Sequence, residues 1–354
     1  MKILQVIRPV GMGGVERISI ALDEYFQSLG AKSYIAINQS MYSNYIDHFE
    51  IKNCKNLVTY NDNTFFEEIH DIKKIIRNIK PDIIQTHARN ECVLVAISNK
   101  ECVHVRTQHM IETNKIPVSV FEKTLLKKRV NMWVSTSEML AKNYLIREKQ
   151  IDKSKINVIY NGVPKPLYLK AETRIINNHF CVVSRLTFQK GIDILLRSLH
   201  SMPKNLLDSI IIDIYGEGEE KENLLHEAKE LQLLNTVHFK NAVKNSSQVL
   251  INYDVLLMPS RYEGLPLTLL EAMSVGTPVA IHDVGCVREF IKSGENGWII
   301  DNNYKWKDLF EDLISKKYNF NNISSNAKNT YQLKFQEEGM CKKYYDLYKE
   351  LTEK

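Results

Sequence analysis

The stretch MPSRYEGLPLTLLEAMSVGTPVA, residues 258–280, carries two carboxylates, Glu263 and Glu271, with seven residues between them in an otherwise apolar run. VLLMPS reads as a buried strand and RYEG as a loop, and Pro266 suits the first turn of a helix. Glu263 then falls just before the helix and Glu271 in its second turn, separated by on the order of 8 Å of helical rise. That distance spans a sugar ring and a ribose, and carboxylates accept hydrogen bonds from paired hydroxyls. The plain alternative makes Glu263 an anion favoured by the helix dipole and Glu271 an exposed helix residue. The small, apolar neighbours of Glu271 in LLEAM favour the binding role.

Two cations have a similar pattern. In VVSRLTFQKG (182–191), Arg185 leaves a strand end and Lys190 opens the next helix. An arginine fork and a lysine point charge at a strand-to-helix crossing suit a diphosphate, although a solvated surface pair would look the same. Near the chain start, Gly11, Gly13 and Gly14 stand between the first strand and its helix. Glycine there allows backbone to approach a ligand whose phosphate meets the helix N–H groups; tight-turn packing alone also explains such a pair. His87 ends the strand DIIQTH and His109 follows VHVRTQ.

The elements needed to position these groups are legible as strand and helix runs in alternation. Strand-like runs at 3–8, 34–37, 82–87, 103–107, 132–137 and 156–162 alternate with helical periods over 14–29, near 117–129 and up to about 149. VPKPLYLKAETRIINN has two prolines and no apolar period and reads as a linker. A second series follows, with strands at 179–185, 209–216, 236–239, 255–260, 277–281 and 297–300 and helices at 190–201, 219–233 and 266–275. This pattern predicts an α/β protein of two doubly wound parallel-sheet domains. The expected division is 1–163, a linker 164–178, a second domain 179–334, and a final helix 335–354 packing back on the first domain. Ligands of such sheets bind at the carboxyl ends of the strands, so the expected site is a cleft between the two domains.

Composition is that of an ordinary globular protein, 44% hydrophobic and 25% charged, with a net charge of +5. That charge argues against nucleic acid as the main partner and leaves room for anionic substrates or an anionic membrane face. Six dispersed cysteines without a CxxC pair fit reduced thiols in a cytosol, and no apolar run approaches the length of a spanning helix. In SVFEKTLLKKRVN (119–131), Val120, Leu125 and Leu126 sit beside Lys123, Lys127, Lys128 and Arg129. Such a basic amphipathic helix suits either an anionic membrane surface or a solvated face.

Glu-x7-Glu within EGLPLTLLEAMSVGTPVA, preceded by SRLTFQKG and followed by VGCVREFIKSGENGWII, resembles the family 4 glycosyltransferases of GT-B fold. GGVERISIAL at the start and INVIYNGV before the linker extend the likeness over nearly the whole chain. The resemblance implies two Rossmann-like domains facing each other across a cleft, the first for the acceptor and the second for the donor. It implies a retaining, metal-independent hexosyltransferase with no cofactor. The expected donor is a nucleotide-diphosphate sugar, with UDP as the nucleotide. The expected acceptor is a hydroxyl of a glycan or lipid-linked molecule in bacterial surface polysaccharide or lipopolysaccharide synthesis. A cytoplasmic enzyme, peripheral at the inner membrane face through 119–131, goes with that role.

Carried over by position, the resemblance puts Glu263 on sugar hydroxyls, Glu271 on the ribose, and Arg185 with Lys190 on the diphosphate. Gly264 and Leu265 join the donor-binding turn, Gly13 and Gly14 close over the donor, and Gly216 to Gly218 form the turn near the nucleobase. His109, ahead of His87, is favoured as the residue near the reacting sugar and acceptor; His109, Glu263, Arg185 and Lys190 make the catalytic set. The absence of an Asp-x-Asp triplet agrees with metal independence, so cations and helix N-termini would stabilise the leaving diphosphate. The implied path is departure through an oxocarbenium-like state with same-face attack, the donor phosphate taking the acceptor proton. Two departures stand out. Gln189-Lys190-Gly191 replaces the usual Glu-Lys-Gly, and Gly285-Cys286 replaces a Gly-Gly pair, which bears on the backbone beside the donor sugar. The competing readings are a GT-B sugar-nucleotide epimerase and a non-catalytic nucleotide-sugar-binding protein.

Overall fold

Every residue of β1 (Lys2–Ile7) except Lys2 is buried, as a parallel strand covered on both faces requires. The computed structural model describes residues 1–8, 13–40, 54–112, 120–167 and 176–353. Gly11 and position 119 lie outside them, as does most of the linker segment from 168 to 175. The chain divides into two compact units, Met1–Gly162 with Glu337–Lys354, and Val163–Gln336.

In the first unit β1 is joined by β2 (Lys32–Asn38), β3 (Leu57–Tyr60), β4 (Ile83–Thr86), β5 (Val103–Gln108), β6 (Met132–Ser135) and β7 (Ile156–Val158). The sheet is parallel throughout, in the order β3-β2-β1-β4-β5-β6-β7. Helix Glu337–Thr352 belongs to this unit and packs on helix Gly14–Ser28. The Cys341 thiol lies 3.7 Å from the Ala21 carbonyl, and the rings of Phe26 and Tyr348 are 5.5 Å apart.

The strand β3 and the helices Phe65–Ile79 and Arg89–Ser98 are additions to the elements read from the sequence. The first of these helices has a clear start, with the Thr64 side chain accepting from the Glu67 N–H. The helix expected to end near 149 is a π-helix, Leu140–Glu148. In helix Val120–Arg129, Leu126 is buried and Leu125 packs against the same core cluster. The apolar side of this helix is therefore largely used inside the unit, with Val120 left exposed. Among the described residues no helix is long and apolar enough to cross a membrane.

The second unit holds β8 (His179–Val183), β9 (Ile211–Tyr215), β10 (Val237–Lys240), β11 (Val255–Met258), β12 (Val279–His282) and β13 (Gly297–Ile300). They form a parallel sheet in the order β10-β9-β8-β11-β12-β13. Helices Trp306–Ile314 and Phe320–Lys334 complete the unit and were not among the predicted elements. In each sheet the strand order reverses once, between β1 and β4 and between β8 and β11. Loops leaving those strands diverge to opposite faces and open a crevice at their carboxyl ends.

Candidate functional site

The crevice of the second unit is bounded by the loop after β8, which carries Arg185 and Lys190, and the loop after β11, which carries Glu263. These loops are bound to each other along several contacts. The Lys190 Nζ donates to Glu263 Oε1 at 2.7 Å, and Ser260 Oγ donates to the same oxygen at 2.7 Å. The Gln189 side chain donates to the Tyr262 carbonyl, and the Arg261 N–H to the Gln189 carbonyl. Arg261 also forks onto Asp193 at 2.6 and 2.7 Å with its guanidinium 3.9 Å from the centre of the Phe188 ring. Hydrogen bonds from that guanidinium hold the Asp193 carboxyl below the usual carboxylate range.

Glycine makes this approach feasible. Gly191 adopts φ +63°, and a Cβ there would lie 2.2 Å from the Pro259 carbonyl oxygen. A Cβ on Gly285 (φ +58°) would lie 2.4 Å from the Glu263 carbonyl oxygen. Cys286, the departure noted above, sits at φ −97° and needs no glycine; its thiol donates to the Gly264 carbonyl at 3.3 Å. Gly216 and Gly218 press their turn against residues 184–186, where added Cβ atoms would meet the carbonyls of Ser184 and Leu186.

The remaining donor-site candidates occupy distinct environments. Glu263 is 5% exposed at its side chain and Lys190 15%, whereas Arg185 is exposed and its guanidinium has no partner among the described residues. Glu263 Oε2 accepts no hydrogen bond from the described residues. Glu271, in helix Leu267–Val275, is buried and accepts from Ser246 Oγ. Its burial speaks against the plain alternative of Glu271 as an exposed helix residue. Leu265 is buried beneath the same turn.

In the first unit, Gly13 caps helix Gly14–Ser28 without a side-chain hydrogen bond, so the first-turn N–H groups of Gly14 and its neighbours lack a side-chain cap. Glu16 is buried beneath, and a Cβ on Gly13 would come 2.6 Å from its Oε2. His87 and His109 stand at the ends of β4 and β5, and His87 Nδ1 lies 3.0 Å from His109 Nε2 with the rings stacked. Ser19 Oγ lies 3.3 Å from His87 Nε2. Burial, reinforced by the Arg106 charge, lowers His109 to about 4. Burial and His109 hold His87 well below the ordinary histidine value. Both imidazoles are therefore neutral near pH 7.

Sequence reasoning identified the charged residues and missed those that hold them: Ser260, Arg261 with Asp193, Ser246, and Ser19. A serine three positions before Glu263 was the available signal, but its meaning depends on the turn between them. Among the described residues no group of three His, Cys, Asp or Glu side chains is placed to hold a metal ion.

Comparison with known proteins adds to this geometry. The profile described as Glycosyltransferase Family 4 matches residues 12–165, and that described as Glycosyl transferases group 1 matches residues 172–330. The chain is 28% identical over 210 residues to an O-antigen biosynthesis glycosyltransferase of Escherichia coli, covering 57% of each protein. It is 27% identical over 290 residues to the Escherichia coli UDP-Gal:alpha-D-GlcNAc-diphosphoundecaprenol alpha-1,3-galactosyltransferase, covering 71% of this chain and 69% of that one. The chain spans about half the length of the first curated relatives it matches. The solved structure of Anabaena HepE in complex with UDP-glucose has the same fold, with a TM-score of 0.82 over 99% of this chain and 100% of that one at 17% identity.

Proposed function

The chain belongs to the family 4 glycosyltransferases of GT-B fold, and from that premise we propose that it transfers a sugar from a UDP-sugar to a hydroxyl of a glycan or lipid-linked acceptor. The transfer retains anomeric configuration and uses no metal ion, and it serves the synthesis of a surface polysaccharide or lipopolysaccharide. The observation that carries this reading is the Lys190–Glu263 pair, 2.7 Å apart, with the unpartnered Arg185 on the same loop as Lys190.

An ammonium has three donors, so Lys190 keeps its bond to Glu263 and still offers N–H groups to a leaving diphosphate. Arg185 forks onto the same diphosphate. Glu263 has Lys190 and Ser260 on one oxygen, which leaves Oε2 for sugar hydroxyls. Glu271 takes the ribose hydroxyls from within its helix, and the Gly216 to Gly218 turn borders the base. In the first unit the Gly13–Gly14 helix start suits a phosphate and His109 suits an acceptor hydroxyl. A neutral His109 accepts or donates one hydrogen bond without adding positive charge. The donor phosphate takes the acceptor proton as the hydroxyl attacks from the same face.

The UDP-galactose of one relative's name and the UDP-glucose bound by HepE support UDP as the nucleotide. The O-antigen and diphosphoundecaprenol relatives support a glycan or lipid-linked acceptor. Contact with an anionic membrane rests on the charge of Lys128 and Arg129 with exposed Val120, since the leucines of that helix face inward.

Incubation of the purified protein with a panel of nucleotide-sugars tests the reading. UDP and free or transferred sugar are expected from one or few UDP-sugars. A sugar-nucleotide epimer would make the protein an epimerase, and binding without turnover would make it a binding protein.

A further inference from the structure

One hydroxyl and two imidazoles of the first unit form a chain in which the hydrogens can be placed by counting bonds. Ser19, in helix Gly14–Ser28, has its Oγ 2.9 Å from the Val15 carbonyl oxygen and 3.3 Å from His87 Nε2. His87 Nδ1 lies in turn 3.0 Å from His109 Nε2. Ser19 and His87 are buried and His109 is half-buried. The other ring nitrogen of His109, Nδ1, has no hydrogen-bond partner among the described residues.

A hydroxyl has one hydrogen to donate, and a neutral imidazole carries one N–H and one bare nitrogen. Burial lowers both histidines below the ordinary value, so both are neutral near pH 7. Two arrangements of the hydrogens are then possible. In the first, Ser19 donates to the Val15 carbonyl, as helical serines do to the carbonyl four residues back. Its oxygen accepts from His87 Nε2–H, and His87 Nδ1 accepts from His109 Nε2–H. In the second, Ser19 donates to a bare His87 Nε2, and His87 Nδ1–H donates to His109 Nε2. The first arrangement makes three hydrogen bonds and the second makes two. Buried polar groups favour the arrangement that pairs more of them. The shorter of the two Ser19 distances, that to Val15, agrees with the first.

We infer that Ser19, acting through His87, fixes His109 in the tautomer with hydrogen on Nε2 and leaves its Nδ1 as a hydrogen-bond acceptor. Ser19 and His87 are positioning residues in this arrangement. A bare nitrogen selects what it meets. A hydroxyl or N–H can donate to it, whereas the oxygens of a phosphate, carboxylate or carbonyl meet it lone pair to lone pair. The consequence for substrate rests on the function proposed above, in which the attacking hydroxyl yields its hydrogen to the donor phosphate. The group His109 takes is then a different hydroxyl of the acceptor, one that keeps its hydrogen. His109 selects and orients the acceptor and removes no proton from it.

Long-range hydrogen–nitrogen NMR correlation spectra of the full chain, with isotope-labelled histidine and no substrate, read the tautomers directly near pH 7. The two residues are identified by the signals lost in His87→Gln and His109→Gln. Both rings are expected to carry hydrogen on Nε2 in the unaltered protein. In Ser19→Ala, His87 Nε2–H would be a buried donor without an acceptor, so hydrogen should move to Nδ1 of both rings. Ser19→Thr, which keeps the hydroxyl, should restore the original pattern. Hydrogen on His109 Nδ1 in the unaltered protein, or unchanged tautomers in Ser19→Ala folded by circular dichroism, overturns the inference. Steady-state kinetics with the working donor form a second arm. Ser19→Ala should raise the acceptor KM on the order of tenfold with kcat nearly kept, and Ser19→Thr should return it. An unchanged KM despite a shifted tautomer overturns the part given to His109. The spectra need no substrate, so a protein that turned over no nucleotide-sugar would refute the proposed function while the tautomers were still decided.

Discussion

The Lys190 ammonium sits 2.7 Å from Glu263 Oε1, and the two side chains come from loops that follow different strands of one sheet. The pair ties the cation proposed for the leaving diphosphate to the carboxylate proposed for the sugar. A change at either residue therefore disturbs its partner, and the single-residue effects of these two will not add.

In the proposed reading the two glutamates divide the donor between them. Glu271 is proposed to bind ribose hydroxyls that do not change during the reaction, so Glu271→Ala should mainly raise the donor KM. Glu263 is proposed to contact the ring where positive charge develops, so Glu263→Ala should mainly lower kcat. Each effect should be about ten- to a hundred-fold, the worth of a hydrogen bond to a charged group. Steady-state kinetics of both variants with the working donor check this, and a reversed pattern would exchange their positions along the donor.

Backbone contacts between the two loops depend on glycine. Gly191→Ala and Gly285→Ala each combine a left-handed φ with a contact below 2.5 Å to a carbonyl oxygen. Each should cost about 1–3 kcal/mol and lower the melting temperature by several degrees. Gly339→Ala, in helix Glu337–Thr352 with no atom within 4 Å of the added Cβ, should be neutral or stabilising. Equal melting temperatures for all three variants would contradict the packing described.

Which parts were legible in advance follows from the physics of each signal. Parallel strands buried on both faces, such as β1 and β11, announce themselves as apolar runs. β3, with the half-exposed sequence LVTY, carries no such run, and helix Arg89–Ser98 has apolar residues around much of its circumference rather than along one stripe. Helix Phe65–Ile79 is amphipathic and could have been found from its Thr64 cap and the spacing of Ile72 and Ile76. Arg185, Lys190, Glu263 and Glu271 stood out because charge in an apolar setting is costly and so informative. Asp193 and Arg261 did not, since their importance arises from a contact across 68 residues of chain that only the sheet order creates, and Ser260 did not because its bond to Glu263 depends on the turn between them.

Acid should weaken the first unit. His87 and His109 have folded-state values below the unfolded histidine value near 6.5, His109 at about 4. The stability they contribute is complete above about 6.5 and is lost as pH falls through the folded values, because the unfolded chain binds those protons first. Melting temperature should fall as pH is lowered from about 6.5 toward 4, and His109→Gln should flatten that fall. An identical pH dependence in the variant would contradict the burial of a neutral imidazole.

The central claim is that protein cations, with no metal ion, hold the leaving diphosphate. Its most direct test is the rate of UDP release from the working donor in excess EDTA, for the unaltered protein and for Arg185→Ala and Lys190→Ala, with folding verified by circular dichroism. Full activity in EDTA is predicted for the unaltered protein, with losses of about a hundred- to a thousand-fold in each folded variant, as for removal of one preorganised donor to a developing anion. An absolute requirement for added Mg²⁺ or Mn²⁺, or near-normal release by either folded variant, would contradict it.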